Sequence, residues 1–152
     1  MKNTILFLLV VFGSSLFNQA TAQDKENIWR TLALIKYEKQ YSENDGVGNQ
    51  GGRFMPIIKK LEGEEVIVKG YIIPLSGKKE QSHFMFSAYP YANCFFCGKA
   101  GPESVMEVFT KDDKKIAYSD DPIKIKGIFH LLPFYDANDV MFILKEAEIV
   151  TD

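Results

Sequence analysis

Cys94 and Cys97 are the two cysteines of the chain, and their C-x-x-C spacing is the pattern best able to do chemistry. Two thiols three residues apart can close one small disulfide ring or bind one metal ion together. An oxidising compartment favours the disulfide, although so small a ring is strained and readily reduced. A Cys94–Cys97 disulfide and a metal site are therefore both open at this point.

Zinc is the metal that such a pair of thiolates most directly indicates. A structural zinc site needs two further ligands, and the sequence contains no second C-x-x-C motif to supply them. The remaining candidates are two imidazoles and two carboxylates, on His83, His130, Glu103 and Glu107. We expect His83 first among them, so that the predicted metal ligands are Cys94, Cys97 and His83.

The same cysteines also fit a thiol–disulfide oxidoreductase, whose attacking Cys stands at a helix N-terminus after a buried strand. Residues 84–89 precede Cys94 in that way, but the residues after Cys97 read as strands and turns with no β-α-β continuation. A further interpretation is structural, with two small thiols packing beside Phe95 and Phe96. Because no other catalytic motif is present, the sequence favours a non-enzymatic binding or accessory module, with the oxidoreductase as the alternative.

Five predicted strands would position this loop. Each is rich in β-branched and aromatic residues or alternates polar with apolar residues, and turn residues separate them. Gly70 and Gly127 lie in the middle of two strands, where a glycine lets a sheet bend sharply. We therefore predict a mainly β fold, a small five-stranded antiparallel OB-like barrel, with a β-sandwich as the alternative. The strands are expected near residues 64–75, 83–89, 105–109, 123–129 and 140–150.

The chain before the barrel is predicted to be an extension with little regular structure. Residues 28–37 fit either a short helix, capped by Asp24 or Asn27, or an edge strand. Residues 42–52 are rich in Gly, Asn and Asp, which predicts a long flexible loop. The expected organisation is thus an extension over residues 23–60 and an OB-like domain over residues 61–152.

Residues 1–22 have the pattern of a cleavable signal peptide. Lys2 is followed by an apolar run at residues 5–12, and Ala20-Thr21-Ala22 is a suitable cleavage site. The apolar run is too short to span a membrane, which takes roughly 20 apolar residues. We therefore expect a periplasmic or secreted protein that has no membrane span after the signal is removed.

The charge of the chain bears on its partners. Removing residues 1–22 takes away one of the 18 basic residues and none of the 20 acidic ones. The remaining chain is weakly acidic, whereas nucleic-acid binders usually carry a basic stripe. We expect no nucleic-acid partner, and instead an unknown envelope protein or a small ligand.

Two motifs give the chain a resemblance to a known family. The sequence G-Y-I-I-P-L at residues 70–75 and F-S-x-Y-P at residues 86–90, followed by Cys94 and Gly98, resembles the domain of unknown function 3299 family of exported bacterial proteins. The resemblance covers roughly residues 28–150 and implies a periplasmic, OB-like β domain without an established role. In one branch of that family a single Cys is followed by a proline-rich stretch, and the Cys94–Cys97 pair departs from that pattern.

Overall fold

The computed structural model describes residues 28–41, 48–74, 77–132 and 140–151. The predicted signal peptide and most of the predicted flexible loop lie outside these residues. The described elements are two helices, α1 (Ile28–Leu32) and α2 (Pro56–Lys59), and nine strands, β1 (Lys36–Tyr41), β2 (Gly48–Arg53), β3 (Glu65–Ile73), β4 (Glu80–Gln81), β5 (His83–Ser87), β6 (Val105–Thr110), β7 (Ile116–Ala117), β8 (Ile123–Leu131) and β9 (Phe142–Ile149).

Five of the strands form a closed barrel in the order β3-β5-β6-β9-β8. This order confirms the predicted OB-like barrel and excludes the β-sandwich. Four of the five strand pairs are antiparallel, but β6 and β9 run parallel. The prediction of an entirely antiparallel barrel was wrong in this respect. Directions can alternate all the way round a closed ring only when the number of strands is even, so five strands require one parallel pair.

Both mid-strand glycines stand where two backbones approach closely. At Gly70, strand β3 changes from pairing with β8 to pairing with β5, and an added Cβ would lie 2.5 Å from the carbonyl oxygen of Ser87. At Gly127 the register between β8 and β9 shifts, and a Cβ would lie 2.7 Å from the carbonyl oxygen of Lys145. The extra residue of this bulge is on β9, where Glu146 has a left-handed φ of 52°.

Both helices of the N-terminal extension contribute side chains to the barrel core. Strand β3 alternates exposed and buried residues, and its inward side chains join those of the other four strands. Ile28 and Leu32 of α1 and Ile58 of α2 are buried in the same apolar cluster. Trp29 is fixed to the barrel wall, because its indole Nε1 donates a hydrogen bond to the carbonyl oxygen of Lys69 at 2.8 Å.

Within the described ranges, no helix is long and apolar enough to cross a membrane.

Strands β1 and β2 form an antiparallel hairpin, with Lys36 opposite Arg53 and Tyr41 opposite Gly48. The sequence had predicted a flexible loop through residues 42–52, and this is wrong for residues 48–52. The pairing of a ladder uses backbone N–H and C=O groups, so a glycine-rich segment can pair although its composition reads as a turn. Residues 28–37 divide between the two predicted alternatives, since a helix ends at Leu32 and a strand begins at Lys36.

Candidate functional site: the cysteine loop and its pocket

Residues 88–104, here called the cysteine loop, connect β5 to β6 and fold back over the outside of the barrel. Cys94 is fully buried there in a small apolar cluster with Ile73, Met85 and Val105. These three residues come from β3, β5 and β6, and Ile73 lies directly opposite Met85 in the sheet. The buried thiol therefore anchors the loop to the outer face of three adjacent strands.

Short 3-10 turns bring the two cysteines to the same side of this loop. Cys94 directly precedes the turn Phe95–Cys97, which ends at Gly98, and the amide of Cys97 donates to the carbonyl oxygen of Cys94 at 3.1 Å. Residues three apart in a 3-10 turn lie one above the other. The C-x-x-C spacing thus places the Cys97 thiol next to that of Cys94, at the surface above the buried anchor.

Both cysteines are free thiols in this structure, so the structure does not support the predicted Cys94–Cys97 disulfide. The Cys97 Sγ–H donates to the carbonyl oxygen of Tyr91 at 3.0 Å. Desolvation raises the pKa of Cys97, and the charge and hydrogen bond of Cys94 raise it further, while the positive charge of Lys99 acts in the opposite direction. At neutral pH the exposed thiol is held in its protonated form.

This geometry differs from that of a thiol–disulfide oxidoreductase. In such enzymes the first Cys of the motif is accessible and has a lowered pKa at the start of a helix. In this chain the first Cys, Cys94, is completely buried, and the exposed Cys97 has a raised pKa. The buried first Cys and the raised pKa of the exposed second Cys therefore do not match the active-site pattern of such an enzyme.

The structure does not bring His83 to the cysteines. His83 is at the start of β5, whereas the cysteine loop leaves the other end of that strand, about 13 Å away at roughly 3.3 Å per residue. Its Nε2 lies 2.6 Å from Oε1 of Glu107, and its ring stacks on Phe109 with centroids 4.4 Å apart. The predicted set of Cys94, Cys97 and His83 is therefore not a single cluster.

His130, the other imidazole of the chain, is engaged at the far end of β8. Its Nδ1 lies 2.9 Å from one carboxylate oxygen of Glu62, and the other oxygen accepts a 2.6 Å hydrogen bond from the amide of Leu131. Burial alone would raise the pKa of Glu62, but these hydrogen bonds and the charges of His130 and Lys145 outweigh it and lower the pKa. Across the described chain, no group of three or more His, Cys, Asp or Glu residues is placed to hold a metal ion.

A pocket of about 600 Å³ lies between α1 and the cysteine loop. Its walls combine two aromatic residues, several small residues, two amide or hydroxyl groups and one residue of each charge. The lining residues are Trp29, Ala33, Ala88, Tyr89, Asn93, Lys99, Ala100, Gly101, Glu103 and Ser104. This volume is within the range of roughly 300–1,000 Å³ that is typical of small-molecule pockets.

Three aromatic side chains of the cysteine loop are unusually exposed. Tyr89, Tyr91 and Phe96 have 49%, 60% and 51% of their surface accessible, and Phe95 packs edge-on against Phe96 with centroids 5.5 Å apart. Phe96 thus lies at the surface, next in the chain to the exposed Cys97.

The sequence does not predict the pocket, because Trp29 and Tyr89 are brought together only by the packing of α1 on the barrel. The motif indicated the importance of the loop, since Asn93, Lys99 and Ala100 flank the two cysteines. No local signal connects that loop to residues 29–33, which are about 60 positions earlier.

Comparisons with known proteins give one solved structure. No family model matches the chain, and no curated protein matches it. The chain is similar to the crystal structure of a DUF3299 family protein from Pseudomonas aeruginosa, with 18% sequence identity and a TM-score of 0.44. The similarity covers 64% of this chain and 68% of that one. This is the same family that the motifs at residues 70–98 resemble.

Proposed function

We propose that this protein is an exported, non-enzymatic binding module and that the cysteine loop is its contact site for an envelope protein. The observation that carries the proposal is the pocket between α1 and the loop, with exposed aromatic residues on the same loop. A side chain of the partner would enter the pocket, and the exposed aromatic residues would cover the surrounding surface.

The composition of the pocket supports a partner side chain with an apolar body and a polar end. Trp29 and Tyr89 supply aromatic surface, while Lys99 and Glu103 place one positive and one negative charge in the same wall. The indole of Trp29 is fixed by its bond to Lys69 and lies near the ring of Phe86, with centroids 6.5 Å apart. A rigid aromatic wall loses little conformational entropy when a partner binds, and this favours a higher affinity.

The exposed aromatic residues support a macromolecular partner. Tyr and Phe are enriched in the buried centres of protein interfaces, and Tyr is frequent among the residues that dominate binding energy. Tyr89 both lines the pocket and belongs to the exposed group, so the two features form one surface. The neighbouring Tyr91 is the most exposed of the three and provides the best position for a probe.

Export is supported by the pattern of residues 1–22, in which a short apolar run leads to Ala20-Thr21-Ala22. Expression in the native host, followed by cell fractionation and intact-mass measurement, tests this directly. We expect the protein in the envelope fraction with Gln23 as its first residue. A cytoplasmic protein that retains Met1 would contradict the proposal.

Site-specific photocrosslinking in living cells tests the contact site. Replacement of Tyr91 by p-benzoylphenylalanine should give a discrete crosslinked protein of the envelope after illumination. The same replacement at Tyr118, which is 40% exposed and lies outside the pocket wall and the loop, should not give that adduct. Ala33→Trp, which fills the pocket from an exposed position, should abolish the Tyr91 adduct, whereas Leu34→Trp at the next position should leave it unchanged.

Three results would overturn the contact site. One is the absence of any adduct from Tyr91, and another is the same adduct from Tyr118. The third is an adduct that survives Ala33→Trp, because the pocket would then play no part in binding. Circular dichroism of the Ala33→Trp and Leu34→Trp proteins controls for folding.

A further inference from the structure

The two thiols of the cysteine loop form a ligand set that differs from the zinc site expected from the sequence. Zinc prefers four ligands in a tetrahedral arrangement. The histidine predicted to be its third ligand is bound to Glu107 and stacked on Phe109 at the other end of β5. The cysteine loop instead provides a pair of soft sulfur ligands, Cys94 and Cys97.

A pair of thiolates suits a soft monovalent cation. Thiolate and thioether ligands favour copper(I) among the biological metals, and copper(I) has a filled d shell that accepts two thiolates in a near-linear arrangement. The 3-10 turn that follows Cys94 brings both side chains to the same side of the loop, and the amide of Cys97 donates to the carbonyl oxygen of Cys94 at 3.1 Å. A cation between the two sulfurs replaces the thiol protons.

We propose that Cys94 and Cys97 bind one copper(I) ion between their thiolates. Two thiols and one Cu⁺ give a complex with a net charge of −1 and release two protons, with no change in oxidation state. The hydrogen bond from Cys97 to the carbonyl oxygen of Tyr91 is lost, because a thiolate cannot donate.

The surroundings of the two sulfurs favour such a complex. Cys94 is buried among Ile73, Met85 and Val105, so one side of the bound ion is shielded from water and from oxidants. An apolar shell around a metal controls solvent access in this way. Met85 adds a polarisable thioether to the same cluster, in keeping with a soft ion.

Lys99 supplies the charge that a negatively charged complex requires. It is two residues after Cys97, and it lines the pocket beside the cysteine loop. Opposite charges stabilise each other more strongly where one side is shielded from water. Lys99 is thus a positioning charge for the complex and makes no bond to the ion.

The copper site and the proposed contact share the cysteine loop, and Lys99 belongs to both, but the two proposals can be tested independently. The copper ligands are the sulfurs of Cys94 and Cys97, neither of which lines the pocket. A titration of the purified protein needs no partner, so its failure would leave the contact proposal untouched. A failed crosslinking experiment would likewise leave the copper site standing.

The test is an anaerobic titration of the fully reduced, purified protein with copper(I), in competition with the chromophoric chelator bicinchoninate. We expect one ion per chain, and an excess of Zn²⁺ should not displace it. Cys97→Ser, an exposed substitution that leaves the fold intact, should weaken binding by about 100-fold or more, since loss of even an outer partner of a ligand costs roughly 10–100-fold. Cys94→Ala should have the same effect and keeps the buried cluster apolar.

Two further readouts distinguish this site from adventitious metal. Because two protons leave on binding, the affinity for copper(I) should rise with pH. Lys99→Gln should weaken binding, whereas Lys114→Gln, an exposed substitution outside the cysteine loop, should not. The proposal is overturned if the reduced protein takes up no copper(I), if Cys97→Ser binds as tightly as the parent, or if zinc displaces the ion.

Discussion

Gly70→Ala should be a severe substitution although it adds only one methyl group. The new Cβ would lie 2.5 Å from the carbonyl oxygen of Ser87 and 2.9 Å from a ring carbon of Phe86. The Phe86 ring could shift slightly, but the Ser87 oxygen belongs to the backbone of β5. Strand β3 passes from one neighbour to the other at this residue, so relief of the clash requires two strands of the barrel to move apart.

The size of the effect follows from that geometry. Overpacking a well-filled core typically costs about 1–3 kcal/mol, and a clash with backbone belongs at the upper end of this range. A loss of about 3 kcal/mol is a large part of the roughly 5–15 kcal/mol by which a domain is stable. For a domain of this size it lowers the melting temperature by roughly 10 °C.

Urea unfolding followed by the fluorescence of Trp29, the one tryptophan of the chain, measures this loss. Gly77→Ala is the matched control, because an added Cβ there meets nothing within 4 Å. The control should leave the free energy of unfolding unchanged, or raise it by about 0.4–1 kcal/mol because alanine reduces the conformational entropy of the unfolded chain. If Gly70→Ala and Gly77→Ala unfold at the same urea concentration, the close approach at Gly70 does not constrain the barrel.

Two other substitutions probe the bulge of β9 and the carboxylate beside His130. Glu146→Gly should raise the free energy of unfolding by about 1 kcal/mol, because a left-handed φ is costly for residues other than glycine, whereas Lys145→Gly should lower it. Glu62→Gln should lower the melting temperature at pH 7. Because the pKa of Glu62 in the folded protein is lower than its ordinary value of 4.5, the ionised carboxylate stabilises the fold at pH values above 4.5. This stabilisation is lost as the pH falls through the pKa of Glu62 in the folded protein. The melting temperatures of the parent and of Glu62→Gln should therefore become equal at acidic pH. A difference in melting temperature that does not change with pH would contradict this reasoning, and so would an equal decrease in Glu64→Gln.

The strands of the barrel could be predicted because their side chains carry the pattern. In β3 the residues alternate between exposed and buried positions, and Pro74 ends the strand as its missing N–H requires. No side-chain pattern in the sequence indicates the parallel pairing of β6 with β9, because this pairing follows from the closure of a ring of five strands. Strand β2 was missed for a related reason, because its glycines pair through the backbone alone.

The candidate site was predictable only in part. The C-x-x-C motif identified the correct loop, because spacing along the chain fixes which thiols share a 3-10 turn. Which cysteine is buried depends on Ile73 and Val105, from strands on either side of β5, and no spacing rule reveals it. Likewise His83 is near Cys94 in the sequence, yet an extended strand carries the two apart.

Closure of the barrel by β9 has a consequence for how the chain folds. Strand β9 is the last of the five in the chain, and it fills the space between β6 and β8. Until it arrives, both neighbours present unpaired backbone groups, which are open to association with other chains. During synthesis from the N-terminus, the unpaired edges of β6 and β8 must therefore avoid association with other chains until β9 is available. Assembly of this barrel is consequently a late event in which widely separated segments meet, and this kind of topology folds slowly.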